Sequence, residues 1–94
     1  MAAGTRIGDV CSGHGCFPPR TVMEGSSNVF ANGVGIARVG DLWETHCCTI
    51  ICHDGRGQEG SSKVFINGRA AMRIGDPIDC GSVVAQGSQS VFFG

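Results

Sequence analysis

Three histidines and six cysteines are the residues of this sequence most able to do chemistry: His14, His46, His53, and Cys11, Cys16, Cys47, Cys48, Cys52, Cys80. His14 lies five residues after Asp9, His46 five after Asp41, and Cys80 four after Asp76. A potential metal donor thus recurs three times at nearly the same offset from an Asp. His53 follows further along and could supply a fourth. Tetrahedral zinc accepts such mixtures, at ~2.0–2.1 Å to nitrogen and ~2.3 Å to sulfur. Four protein ligands close the coordination sphere, which marks a structural metal with no open position for a substrate. Other donors compete. Cys47, Cys48 and Cys52 flank the later histidines, and any of them could replace one. Cys11 or Cys16 could displace His14. Cysteines that are not ligands read as small buried hydrophobes or inert thiols.

The donors are carried by a repeat. Gly25-Ser26-Ser27-Asn28-Val29-Phe30-Ala31-Asn32-Gly33 recurs as Gly60-Ser61-Ser62-Lys63-Val64-Phe65-Ile66-Asn67-Gly68, a shift of 35 residues. The same shift takes Arg38-Val39-Gly40-Asp41 to Arg73-Ile74-Gly75-Asp76. Arg6-Ile7-Gly8-Asp9 and Gly87-Ser88-Gln89-Ser90-Val91-Phe92 are third copies of the two blocks. The chain reads as one domain, residues 1–94, of three units: about 6–33, 38–68 and 73–94. Repetition at such a period is the signature of stacked supersecondary units. The three variable loops run roughly over 10–24, 42–59 and 77–86, and the candidate ligands lie in them.

Each unit has a local physical reading. Val-Phe-Ala-Asn-Gly and Val-Phe-Ile-Asn-Gly run apolar strands into Asn-Gly, the dipeptide suited to a type I′ hairpin turn. Ile36-Ala37-Arg38-Val39 and Ala71-Met72-Arg73-Ile74 read as return strands, ended by Gly-Asp turns. Asp9, Asp41 and Asp76 read as turn formers that accept backbone N–H bonds, with Arg38 and Arg73 buttressing the turns. Trp43, in the second loop, is placed to pack over the metal site. No helical period is present. The expected fold is all-β: a small cone of short β-hairpins and ordered loops, with a pseudo-threefold repeat, metal-stapled near the tip.

Composition explains why a staple is needed. The chain has 94 residues, with 16 Gly, 5 Phe, 1 Trp and no Tyr. Glycine loses the most backbone entropy on folding and packs no side chain. A domain this small and glycine-rich calls for disulfides, a metal or a partner. Seven basic and eight acidic residues give a formal charge of −1, so nucleic acid is not an expected partner. The N-terminal Met1-Ala2-Ala3-Gly4-Thr5-Arg6 lacks the apolar core of a secretory signal. The chain is expected to be made in the cytoplasm and to leave, if it leaves, without a cleavable signal. Reduced thiols or metal ligands then fit the cysteines better than three disulfides. A Cys–His catalytic pair also needs an orienting partner and a pocket, for which so short a chain has little room.

In their order and threefold recurrence these blocks resemble the PAAR-repeat family, over essentially the whole chain. That family is named for Pro-Ala-Ala-Arg after an Asn-Gly turn, followed by an apolar residue and Gly-Asp. The matching stretches are Gly35-Ile36-Ala37-Arg38 and Ala70-Ala71-Met72-Arg73, with the proline absent from both. The resemblance implies a non-enzymatic cone whose base sits on a trimeric β-helical spike, in type VI secretion systems or contractile phage tails. It implies one copy per trimer, a role in membrane piercing with transient contact to the target membrane, and in some members associated effector proteins. Family members bind a metal near the tip through three His and one Cys. Carried onto this chain, those are His14, His46, His53 and Cys80, with one structural zinc as the expected ion and iron as the alternative. The rival class is a small zinc-binding interaction module of unrelated role. A zinc ribbon of that class predicts paired C-x₂-C knuckles, which do not occur here.

Overall fold

The computed structural model describes all 94 residues, and its regular structure is entirely β. Strand β1 is Ala2–Ala3, β2 Phe30–Ala31, β3 Val34–Gly35, β4 Leu42–Cys48, β5 Ile51–Arg56, β6 Phe65–Ile66, β7 Arg69–Ala70 and β8 Phe92–Phe93. They pair as four antiparallel two-stranded ladders: β1 with β8, β2 with β3, β4 with β5, and β6 with β7. The molecule is elongated, 37 × 23 × 22 Å.

Two of the ladders are the hairpins expected at Asn-Gly. Asn32 and Asn67 both have φ of 56°, and Gly33 and Gly68 follow at 77° and 79°. A type I′ turn requires positive φ at both central residues. The third ladder closes the chain on itself. Ala2 pairs with Phe93 and Ala3 with Phe92, so the N-terminal strand supplies the return strand that the third Val-Phe segment lacks.

A ring of backbone bonds marks the pseudo-threefold axis. Thr5 N–H donates to Met72 O at 3.1 Å, Met72 N–H to Ala37 O at 3.0 Å, and Ala37 N–H to Thr5 O at 2.9 Å. All three residues are fully buried. Each precedes the arginine of an Arg-x-Gly-Asp block. In every block the Asp N–H donates back to the Arg carbonyl, and the glycine between them has φ near 90°. The carboxylates of Asp9, Asp41 and Asp76 in turn accept the backbone N–H and guanidinium of Arg6, Arg38 and Arg73. The three aspartates are turn formers and the arginines their buttresses. The hydrogen bond to Asp9 is the main reason the Arg6 pKa is raised, and Asp76 does the same for Arg73.

The apolar interior has two parts. One packs Cys11, Val22, Trp43, Met72, Ile78 and Val84 with Ala37. The other, beneath the three short ladders, packs Ala31, Ile36, Ile66 and Ala71, with Val64, Val91 and Phe93 against them. Alternation along a strand then turns Phe30, Phe65 and Phe92 outward.

Three expectations are corrected. The second loop is largely a long hairpin, β4–β5, with a register shift between Trp43 and His46 and a turn in which Thr49 takes φ of 57°. Trp43 is a fully buried member of the core and does not cover the histidines. Four of the cysteines are not inert thiols: Cys16 is bonded to Cys48 and Cys47 to Cys52, leaving Cys11 and Cys80 free. The register explains the second pair, because Cys47 stands directly opposite Cys52 across β4 and β5, with Cα atoms 4.1 Å apart.

Candidate metal centre

Each of the three loops delivers its donor through a different local device. In the first, His14 and Phe17 exchange backbone bonds of 3.0 and 2.8 Å, closing a tight turn over Gly15 and Cys16. The Cys16–Cys48 disulfide ties that turn to β4. In the second, His46 and His53 are register partners on β4 and β5 and present their rings together. In the third, Gly81 N–H donates to Ile78 O, making a turn that displays Cys80. Asp79 and Arg56 bond to each other through N–H groups in both directions, which fixes that turn to β5.

The four side chains converge. One donor atom from each of His14, His46, His53 and Cys80 lies within 4.8 Å of all the others. The three Nε2 atoms form a triangle with sides of 2.7 Å (His46–His53), 3.0 Å (His14–His53) and 3.2 Å (His14–His46). For comparison, ligand nitrogens ~2.0–2.1 Å from a tetrahedral zinc stand about 3.3 Å apart. Cys47, Cys48, Cys52 and Cys16 are held in disulfides, so none competes for the site. Cys11 is buried in the core and is not one of the converging donors.

Protonation favours a cation at the centre. Nδ1 of His46 lies 2.8 Å from the carbonyl oxygen of Pro18, which can only accept, so Nδ1 is the donor. In the neutral ring Nε2 is left with a lone pair aimed at the other two imidazoles. A carbonyl that binds the outer ring N–H of a ligating histidine and so fixes its tautomer is a usual device of metal sites. Desolvation is the largest cause that lowers the His14 pKa and the charge of Arg20 adds to it, which favours the neutral ring that a ligand must be. Three convergent imidazole nitrogens and a thiol fit one tetrahedral metal ion: His14, His46, His53 and Cys80 would hold it, and when bound it would cross-link all three loops.

Two neighbours of the site were not visible in the sequence. Phe17 stacks on His14 and His53, with ring centroids 4.7 and 4.2 Å apart, and meets His46 at a tilt at 4.9 Å. It shields the cluster as Trp43 was expected to. The buried Arg20 reaches two sulfurs, those of Cys11 and Cys80. Burial alone would raise the Cys11 thiol pKa, but hydrogen bonds from Arg20, Gly13 and Ser82 outweigh it, and the value is lowered. A stack of Phe on His three residues apart has no sequence signature. Arg20 offered one weak signal, since it stands outside the Arg-(Ile/Val)-Gly-Asp blocks.

The surface has one substantial groove, of about 500 Å³, and it lies elsewhere. Arg38, Arg56, Arg69 and Asp41 line it, and no histidine or cysteine does. The His–Cys cluster is thus a packed junction of loops, separate from any concavity.

The family model described as PAAR motif matches residues 12–86. No curated protein matches the chain.

Proposed function

Since the chain belongs to the PAAR-motif family, we propose that it is the metal-pinned tip of a contractile injection machine, capping and sharpening a trimeric β-helical spike for membrane piercing. Membership supports a spike-tip role in type VI secretion or phage tails, and a structural rather than an enzymatic one. In this reading residues 1–94 act as one PAAR-like unit. One copy sits on one spike trimer, and effector proteins can travel with it. The protein is made in the cytoplasm, assembled on the apparatus and delivered outside the cell. The disulfides suit that destination, since disulfides persist in oxidising surroundings.

The observation that carries the proposal is the placement of three phenylalanines. Phe30, Phe65 and Phe92 are 55%, 60% and 49% exposed, at equivalent positions of the three short ladders. Three large exposed apolar side chains at pseudo-equivalent positions suit a threefold docking surface. The open end of a trimeric β-helix presents three equivalent strand edges, which invite pairing or aggregation unless covered. A single chain with threefold pseudo-symmetry can cover all three. The pinned loops carrying His14, His46, His53 and Cys80 would then form the leading end. One zinc, or iron in its place, is the proposed ion.

The test is binding of purified spike trimer to Phe30→Asp, Phe65→Asp and Phe92→Asp variants. Each should weaken binding at least tenfold, and Ile50→Asp on the β4–β5 turn should not. Loss of binding in Ile50→Asp with the three phenylalanine variants unaffected would reverse the proposed orientation. The unrelated zinc-module reading predicts that no spike trimer binds at all.

A further inference from the structure

Arg20 is only 5% exposed, yet no carboxylate faces it. The other five arginines, Arg6, Arg38, Arg56, Arg69 and Arg73, each have a carboxylate oxygen within 4.0 Å. A buried guanidinium cannot lose its proton and is rarely left without a counter-charge. Its donors go instead to two sulfurs and a carbonyl. Nη2 is 3.1 Å from Cys80 Sγ, Nη1 is 3.2 Å from Cys11 Sγ, and Nε is 2.6 Å from the Glu44 carbonyl oxygen. The guanidinium lies 5.8 Å from the ring centre of Trp43, which supports it from the core side.

Gly55 is a second, independent observation. It does not lie in the left-handed region, so its backbone does not require glycine. Its neighbours do. A Cβ there would stand 2.5 Å from Arg20 Nη2, 3.0 Å from Ile78 Cγ2 and 3.2 Å from Cys80 Sγ. The missing side chain leaves the space in which the guanidinium meets the cysteine sulfur.

We propose that Arg20 is the positioning residue of the metal centre: it hydrogen-bonds the ligand sulfur of the half-buried Cys80 and places a positive charge beside the thiolate that a metal ligand must be. The assignment rests on the reading of His14, His46, His53 and Cys80 as a metal site. It gives Arg20 two consequences beyond packing. The Cys80 rotamer is set before metal arrives, because Nε on Glu44 O and Nη1 on Cys11 Sγ fix the guanidinium. The sulfur also shares electron density with two partners, so its bond to the metal is less covalent than that of a free thiolate. Outer-shell hydrogen bonds of this kind are worth 10–100-fold in metal affinity.

The experiment uses the full chain loaded with cobalt(II), whose sulfur-to-metal charge-transfer band reports on the Cys80 sulfur. Affinity is read by competition with a chromophoric chelator. In Arg20→Met the band should move to lower energy and affinity should fall 10–100-fold. Arg20→Lys, which can reach one sulfur only, should fall between. Gly55→Ala keeps the arginine but pushes it from the sulfur, so it should shift the band in the same direction as Arg20→Met. A merely structural Arg20 would lower the melting temperature of the metal-free protein and leave the band in place. Unchanged bands in Arg20→Met and Gly55→Ala would overturn the assignment. Should Arg20→Met not fold, Arg20→Lys decides, because it keeps the charge and leaves Cys80 uncrowded. A wild-type chain that takes up no cobalt would remove the metal site itself, and this role with it.

Discussion

His46 and His53 face each other across β4 and β5 with their Nε2 atoms 2.7 Å apart. Nδ1 of His46 is committed to Pro18 O, so in the neutral ring its Nε2 can only accept. His14 reaches the same point from another loop, 3.2 and 3.0 Å from these two atoms. One proton shared between rings can satisfy one pair of nitrogens, whereas a metal ion satisfies all three. Stability of the tip should therefore depend on the ion.

Removing the metal should cost the protein much of its stability. A ligand at a thousand times its dissociation constant adds about 4 kcal/mol, and ~4–8 °C of melting temperature goes with each kcal/mol in a domain of this size. A strong chelator or Cys80→Ser should lower Tm by well over ten degrees in a thermal scan. Ile51→Ser, at the exposed hairpin end, should change it little. Equal small effects from both substitutions would show that Cys80 is not a ligand.

Only two thiols should react with an alkylating agent in the denatured, unreduced protein, namely Cys11 and Cys80. After reduction all six should react, and mass spectrometry counts them. The Cys16–Cys48 bond spans 32 residues, and removing it as Cys16→Ser with Cys48→Ser should cost about 2–4 kcal/mol. Six reactive thiols before reduction would contradict the disulfide pairing.

Acid should destabilise the metal-free protein in a window just below neutrality. The folded pKa of His14 is depressed, so the unfolded chain takes up this proton more readily. The stability it contributes is therefore complete above the unfolded value of ~6.5 and is lost as pH falls through the lower folded value. Tm of the chelated protein should drop between pH 7.5 and pH 5.5, and less so in His14→Gln. Zinc-loaded protein should show the same sign, because protons compete for ligand lone pairs. A Tm that rises on acidification would contradict this.

Among the three turn aspartates, Asp41 should be the costliest to lose. It is 1% exposed and serves two arginines, Arg38 in its own turn and Arg69 at 3.0 Å. Breaking a buried ion pair from one side costs about 3–5 kcal/mol. Asp76 pairs with Arg73 alone, on a pair that is more open to solvent. Urea unfolding should rank Asp41→Ala below Asp76→Ala in stability, and the reverse order would deny the shared role of Asp41.

The repeat made much of the fold readable. Asn32-Gly33 and Asn67-Gly68 announced two hairpins, and the Arg-x-Gly-Asp blocks announced their turns, because both rest on local φ requirements. His14, His46 and Cys80 were readable by their offset from those turns. The β4–β5 hairpin was not. Its turn at Thr49-Ile50 lacks Asn-Gly, and its strands place Cys and His on both faces instead of alternating apolar with polar. The disulfide pairing followed from that hidden register. The β1–β8 closure was equally silent, since Ala2 and Ala3 carry no strand signal and their partners lie at the far end of the chain. Arg20 was missed because its partner sulfur on Cys80 is 60 residues away.

The most direct measurement is native mass spectrometry of the protein mixed with its spike trimer. One species is expected: three spike chains, one copy of this chain carrying its two disulfides, and one zinc. A complex with three copies per trimer, or a one-copy complex with no metal, would contradict it.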